Sequence, residues 1–243
     1  RLSYRKSAGN VALAWMPPPE LTVSQWADTH RKLSPEASAE PGRWRTDRAP
    51  YQRGMMDAVN EPGVREVVFM TSAQIGKTEI LNNILGYFVH QDPSPILFIQ
   101  PTLEMSEAWS KDRLAPMIRD TEALGNLFKD SKTRNSDNTL LHKKFTGGHL
   151  TMAGANSPSS LASRPIRIVL LDEEDRYPSS AGAEGDPGSL AQKRTTTFWN
   201  RLLVSASTPT IEGESKIDAR YQQSDMRRFH VPCPECKKFQ VLC

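Results

Sequence analysis

The sequence predicts an α/β fold with a mainly parallel central sheet flanked by helices on both faces, and three observations predict it. Short apolar runs rich in Val, Ile and Leu recur at 67–70, 96–99, 166–171 and 202–204. Helical patterns near 78–90, 103–120 and 187–199 separate them. Unbroken apolar strands alternating with helices are how a parallel sheet buried on both faces reads. Third, the run at 67–70 passes through a tight loop into Gly76-Lys77-Thr78, and Glu79-Ile80-Leu81 then opens a helical pattern.

The remaining elements follow in chain order. Residues 1–20 end in Met16-Pro17-Pro18-Pro19 and read as an extended arm or linker. From 21 to 33, Val23, Trp26, Ala27 and His30 fall at helical spacing, with Thr22 or Ser24 as the cap. A loop rich in Pro, Ser, Glu and Arg covers 34–49. Pro50-Tyr51-Gln52 then starts a second helix that buries Met55, Met56 and Val59. Residues 140–154 read as a hairpin turning at Gly147-Gly148, at the edge of the sheet.

Composition sets broad limits. With 243 residues, 37% hydrophobic and 24% charged, the chain suits one large globular domain. No run approaches the ~18 apolar residues that a membrane span requires. No signal-peptide pattern opens the chain, so no membrane partner and a cytosolic address are expected. Three cysteines argue against a disulfide framework. A net charge of +3 permits a nucleic-acid partner without requiring one. The abrupt start at Arg1 and stop at Cys243 lead us to expect a fragment of something longer.

The chemistry centres on two strand ends. Strand, tight loop and helix with Gly-Lys-Thr at the junction is the context of a phosphate-binding loop. Backbone N–H groups at a helix start point at an anion, Lys77 reaches the β/γ-phosphates, and the Thr78 hydroxyl ligates Mg²⁺. The usual first glycine of that motif falls on Thr71, and a turn that merely carries a lysine is the alternative. The run at 166–171 ends in Asp172-Glu173-Glu174-Asp175. Carboxylates at the C-terminal end of a buried strand lie where open α/β sheets do chemistry. Asp172 suits the Mg²⁺ shell and Glu173 the polarising of an attacking water, with Glu174 the substitute if the strand ends one residue later. The other reading is a solvated acidic turn, although adjacent carboxylates repel and call for a nearby cation. Ser205, Ala206 and Ser207 end a further strand and can relay events at the γ-phosphate.

Taken together, these motifs resemble the ATPase domain of the large terminase subunit of tailed bacteriophages, of the lambda-like GpA type. Ser72 to Thr78 resembles that family's phosphate loop, which also lacks the first glycine, and Pro50-Tyr51-Gln52 its adenine-recognition motif. Gln100-Pro101-Thr102 is similar to the segment after the second strand of related translocases, and Ser205-Ala206-Ser207 to the coupling motif. Ser163-Arg164-Pro165, the run 172–178 and Gly185-Asp186-Pro187 also look characteristic. The resemblance implies a P-loop NTPase fold (ASCE/RecA-like) over 21–225. ATP would lie on Tyr51, Gln52, Ser72, Ala73, Gln74, Ile75, Gly76, Lys77, Thr78 and Glu79. Tyr51 would pack on the base and Gln52 would bond its edge. Asp172 and Thr78 would hold Mg²⁺, and Glu173 and Lys77 would be catalytic. The implied partners are double-stranded DNA, the small terminase subunit and the procapsid portal, with a homo-oligomeric ring on the portal, all in the host cytoplasm.

Two departures accompany this resemblance. Residues 71–76 hold no basic residue, so a transition-state arginine must come from elsewhere. Arg164 is the candidate, acting on a neighbouring subunit, with Arg167 and Arg176 behind it; a surface arginine is the plain alternative. The family's C-terminal nuclease is expected in a region absent here. Cys233 and Cys236, in a Cys-Pro-x-Cys knuckle, suit two ligands of Zn²⁺, with only His230 and Cys243 nearby. They mark 226–243 as the start of a ribbon-like segment. Lys143-Lys144, Arg227-Arg228 and Lys237-Lys238 are basic pairs suited to DNA phosphates. A helicase-like remodelling ATPase and a nucleotide-binding scaffold without turnover are the alternative functions.

Overall fold

A computed structural model describes residues 20–128, 138–162 and 164–241; the expected arm, Ser163 and Cys243 lie outside them. The first helix, α1 (Val23–His30), begins at Thr22. The Thr22 hydroxyl accepts from the Gln25 N–H, and the Gln25 side chain accepts from the Thr22 N–H at 3.0 Å. Ser24, the other expected cap, instead donates to Asp57 at 2.8 Å. A two-stranded ribbon, β1 (Lys32–Leu33) and β2 (Gly42–Arg43), leads to α2 (Tyr51–Asp57).

The central elements are β3 (Glu66–Met70), α3 (Lys77–His90), β4 (Ile96–Gln100) and α4 (Leu103–Trp109). The expected long helix at 103–120 passes through a π-helical segment, Ser110–Leu114, before α5 (Ala115–Asp120). Pro116 has no N–H to give and its ring crowds the preceding turn, which accounts for the widened ladder just before it. After α6 (Glu122–Gly125) come the hairpin β5 (His142–Phe145) and β6 (Gly148–Gly154), then α7 (Pro158–Ala162) and β7 (Ile168–Asp172). Next is α8 (Pro187–Lys193), shorter than the helix expected to 199. Thr195 and Thr196 hydroxyls donate to the Gln192 and Lys193 carbonyls and close its end. The chain finishes with β8 (Leu202–Ser207), α9 (Lys216–Gln222) and a small ribbon, β9 (His230–Pro232) and β10 (Phe239–Val241).

Six strands form one sheet in the order β3-β8-β7-β4-β6-β5, and every pairing except β5–β6 is parallel. Because side chains alternate across a strand, each apolar run feeds two cores. Ile96, Phe98, Ile168, Leu170 and Val204 face α1, α2 and α3 on one side. Leu97, Ile99, Val169, Leu171 and Leu203 face α7 and α8 on the other. The expected parallel sheet with helices on both faces is therefore present.

Helix α3 is the pivot of the first core. Trp26 of α1 is fully buried against it, and its indole N–H donates to His90 Nδ1 at 3.1 Å. Gly86 makes this approach possible, since a Cβ there would lie 2.2 Å from the Trp26 ring and 2.9 Å from Met117. In an open helix, Gly→Ala would stabilise by about 1 kcal/mol. Here overpacking, worth about 1–3 kcal/mol, opposes and outweighs it. Gly86→Ala is therefore expected to lower the urea midpoint; an unchanged or higher midpoint would mean that the indole has room to retreat.

Candidate functional site

Register brings the site together. Met70 pairs with Ser207, and Ala206 pairs with Asp172, so β3, β8 and β7 end at one level. Gln100, ending β4, lies beside them and donates to Asp172 at 3.0 Å. The loop after β3 turns through Gln74 and Gly76, both left-handed, with φ of 61° and 83°. No side chain caps α3, so its first N–H groups remain open to an anion. Glycine is required at position 76 twice over, because a Cβ would also lie 2.8 Å from Gln52 Nε2.

Lys77 is buried, with its ammonium 3.0 Å from Glu173 Oε1 and donating to Thr208 Oγ1 at 2.7 Å. The Thr78 hydroxyl donates to Asp172 Oδ2 at 3.2 Å, while Asp172 Oδ1 is buried with no hydrogen-bond partner. A hydroxyl beside a buried, unsatisfied carboxylate oxygen fits a small divalent cation with oxygen ligands. Burial, and then the neighbouring Glu173 charge, push the Asp172 carboxyl up to about 6. Glu173 sits in the left-handed region at φ 57°, which turns its side chain back over the cleft. That cleft has a volume of about 510 Å³ and runs from Gly76 and Thr78 past Asp172 and Glu173 to Trp109, Arg113 and Arg176.

Several expected residues are placed differently. Glu174 turns away from the cleft; Arg220 binds it at 2.9 Å, and burial raises its carboxyl. Glu79 lines the cleft as expected, although its carboxylate is taken up by Arg31 at 2.8 Å and Asn82 at 3.2 Å. Gln52, expected to meet a base, instead donates to the Ile75 carbonyl at 2.8 Å, as does the Tyr51 hydroxyl at 3.0 Å. Both brace the loop from behind. Ser72 and Ala73 are exposed, whereas Gln74, also exposed, lines the cleft as expected.

Within the expected coupling segment, Ser205 is buried in the sheet and Ala206 packs in the core. Ser207 bonds the Asp175 N–H at 3.1 Å. Asp175 in turn accepts from the Thr210 and Ile217 N–H groups at 3.0 and 2.8 Å. Thr208, which sequence reasoning missed, lies one residue beyond the segment it named. Its only signal was position, next to a strand that proves to lie between β3 and β7.

The arginines and metal candidates separate likewise. Arg164 precedes β7 and so lies at the opposite sheet edge from Asp172, exposed, with Nη1 3.1 Å from His142 Nε2. Arg167 is tied to Asp92 at 2.6 Å, whereas Arg176 Nε lies 3.8 Å from Glu173 Oε2. Cys233 and Cys236 meet in the β9–β10 ribbon, where backbone N–H groups of Cys236 and Glu235 lower the Cys233 thiol. Among the described residues no third His, Cys, Asp or Glu joins them, so the zinc set is not formed there. Of the basic pairs, Arg227 is bound to Glu61 and Asp225, and burial lowers the Lys143 ammonium. No helix among the described residues is long and apolar enough to cross a membrane.

The family described as "Phage terminase large subunit gpA, ATPase domain" matches residues 38–243. The large terminase subunit of Enterobacteria phage P21 is 32% identical over 242 residues, and that of Escherichia phage lambda 31% over 245. These alignments cover 97% and 100% of this chain, but the chain spans only 37% of the length of either relative. The large terminase ATPase domain of Thermus phage P74-26 superposes with a TM-score of 0.51 at 15% identity. That match covers 79% of this chain and 76% of the other, a likeness of fold.

Asp172 yields a test of the site's electrostatics. Its folded value near 6 exceeds the ordinary 3.8, so the fold binds the extra proton and gains stability as pH falls through 6. Above pH 6 the charged carboxylate costs roughly 3 kcal/mol. Asp172→Asn is expected to raise the urea midpoint at pH 7.5 without divalent ions, and the excess should shrink by pH 5. A midpoint at or below wild type at pH 7.5 would contradict the burial cost.

Proposed function

The chain belongs to the phage terminase large subunit gpA ATPase domain family, and from that premise we propose that it is the ATP-hydrolysing motor that drives double-stranded DNA into a procapsid. One observation carries this reading: Lys77 meets Glu173 and Thr78 meets Asp172 within hydrogen-bonding distance, where the ends of β3 and β7 converge on either side of β8. The motor body spans 21–225, and 226–243 begin the segment that follows it. Its partners are DNA, the small terminase subunit and the portal, with copies forming a ring on the portal in the host cytoplasm.

The mechanism starts from the Lys77–Glu173 pair. Phosphate oxygens are a stronger attraction for Lys77 than one carboxylate, so arrival of ATP draws the ammonium off Glu173. Loop N–H groups and the α3 dipole stabilise the negative charge. Thr78 and Asp172 would hold Mg²⁺, which would neutralise part of the phosphate charge. Glu173, released and already turned over the cleft, orients water and accepts its proton. Thr208 loses its bond from Lys77 in the same step. The change passes through Ser207 and Asp175 to Thr210 and the start of α9, a hydrogen-bonded route from the nucleotide to the far side of β8.

Position and preorganised charge supply most of the rate in phosphoryl transfer. Glu173→Gln is expected to lower ATPase turnover by about 100-fold or more while ATP still binds. Turnover like wild type would remove Glu173 from the mechanism. Arg164 precedes β7, whose other end carries Asp172, and is assigned to a neighbour's site. Mixing Arg164→Ala with Glu173→Ala subunits should then restore activity above either alone. With no recovery on mixing and a loss of turnover in Arg176→Ala, the transition-state arginine would instead belong to the chain's own cleft.

A further inference from the structure

One wall of the cleft is the phosphate loop with the start of α3. Another is α4 with the π-helical segment that follows it, which contributes Trp109 and Arg113. The two walls are fastened to each other. Trp109 is buried and stacked on Phe98, with centroids 4.1 Å apart and planes at 11°. Its indole N–H donates to Asn82 Oδ1 at 3.2 Å, and the Asn82 amide donates to Glu79 at 3.2 Å. Glu79 follows Thr78, so these bonds end one residue from the hydroxyl that meets Asp172.

Stability does not explain why Arg113 stands at this cleft. Its guanidinium lies 3.9 Å from Glu79 Oε1, and its side chain is 45% exposed. A contact that long and that wet adds little. Glu79 does not need it, because Arg31, almost fully buried, already binds the carboxylate at 2.8 Å. Arg113 Nη1 also donates to the Ala37 carbonyl, which commits one of five N–H groups and keeps the head beside the cleft. Arg176 is placed differently. Once ATP draws Lys77 away, Arg176 is the cation left beside Glu173, whereas Glu79 keeps Arg31 when Arg113 departs.

A guanidinium grips phosphate through two parallel bonds, which suits it to a cleft that opens on a helix start and Lys77. Loop N–H groups take the phosphates nearest α3, so a cation on the other wall meets the last one. We propose that Arg113 binds the terminal phosphate of ATP within its own chain, a contact that residues 71–76, with no basic side chain, do not supply. This rests on the reading of the loop as an ATP site. Arg113 then distinguishes ATP from ADP on binding, a task separate from the neighbour's arginine in turnover.

Calorimetry on the whole chain with magnesium β,γ-methylene ATP, which is not hydrolysed, and with magnesium ADP tests this. Arg113→Ala is expected to weaken the triphosphate about tenfold or more and to leave ADP within about twofold. Arg113→Lys keeps the charge without the fork and should recover part of the loss. Wild type that binds both nucleotides, with the triphosphate unchanged in Arg113→Ala, would overturn the proposal and leave the ATP site standing. An equal loss of both nucleotides would overturn it too, since that signals a disturbed wall rather than a missing phosphate contact. Wild type that binds neither would remove the ATP reading and the role of Arg113 with it.

Discussion

Four consecutive carboxylates at the end of a buried strand must each find a different neutraliser, and the site is built around how they do. Asp172 lies in the sheet plane between the Thr78 hydroxyl and the Gln100 amide. Glu173 turns back through a left-handed backbone to Lys77. Glu174 goes to the opposite side and is matched by Arg220, which also binds Glu66 at the start of β3. Asp175 takes backbone N–H groups of the segment after β8. Mutual repulsion in a low dielectric would otherwise force protons onto these groups. Asp172, lacking a full cation of its own, is the one driven furthest up.

This distribution ties chemistry to architecture. Strand β8, interposed between β3 and β7, brings Ser207 and Thr208 to the one place where they touch both the Lys77 ammonium and the Asp175 turn. A parallel sheet can do this because all its strands end on the same edge. Behind the loop, α2 does complementary work: Tyr51 and Gln52 both hold the Ile75 carbonyl, and Gly76 leaves them the space. The loop is held from its back while its N–H groups stay free at the front.

How much of this was legible follows from what is local. The strands showed as unbroken apolar runs, because burial on both faces leaves no polar alternation. The phosphate loop, the β5–β6 hairpin at its glycines and the family resemblance were all readable from short stretches. So was Asp172 as the last residue of its strand, since apolar burial gives way to charge there. The π-helical segment was not, because Pro116 signals a break without saying how the ladder adjusts.

The sequence by itself determined the element types, the family and which residues carry charge at the strand ends. Tertiary structure alone decided the strand order, the direction of each carboxylate and the partners of Gln52, Thr208 and Arg113. These depend on contacts between residues far apart in the chain, such as Lys77 with Thr208 or Glu79 with Arg113. Propensity and periodicity act over a few residues. Pairing across a sheet and the balance of buried charge act over the whole fold, so no local pattern encodes them.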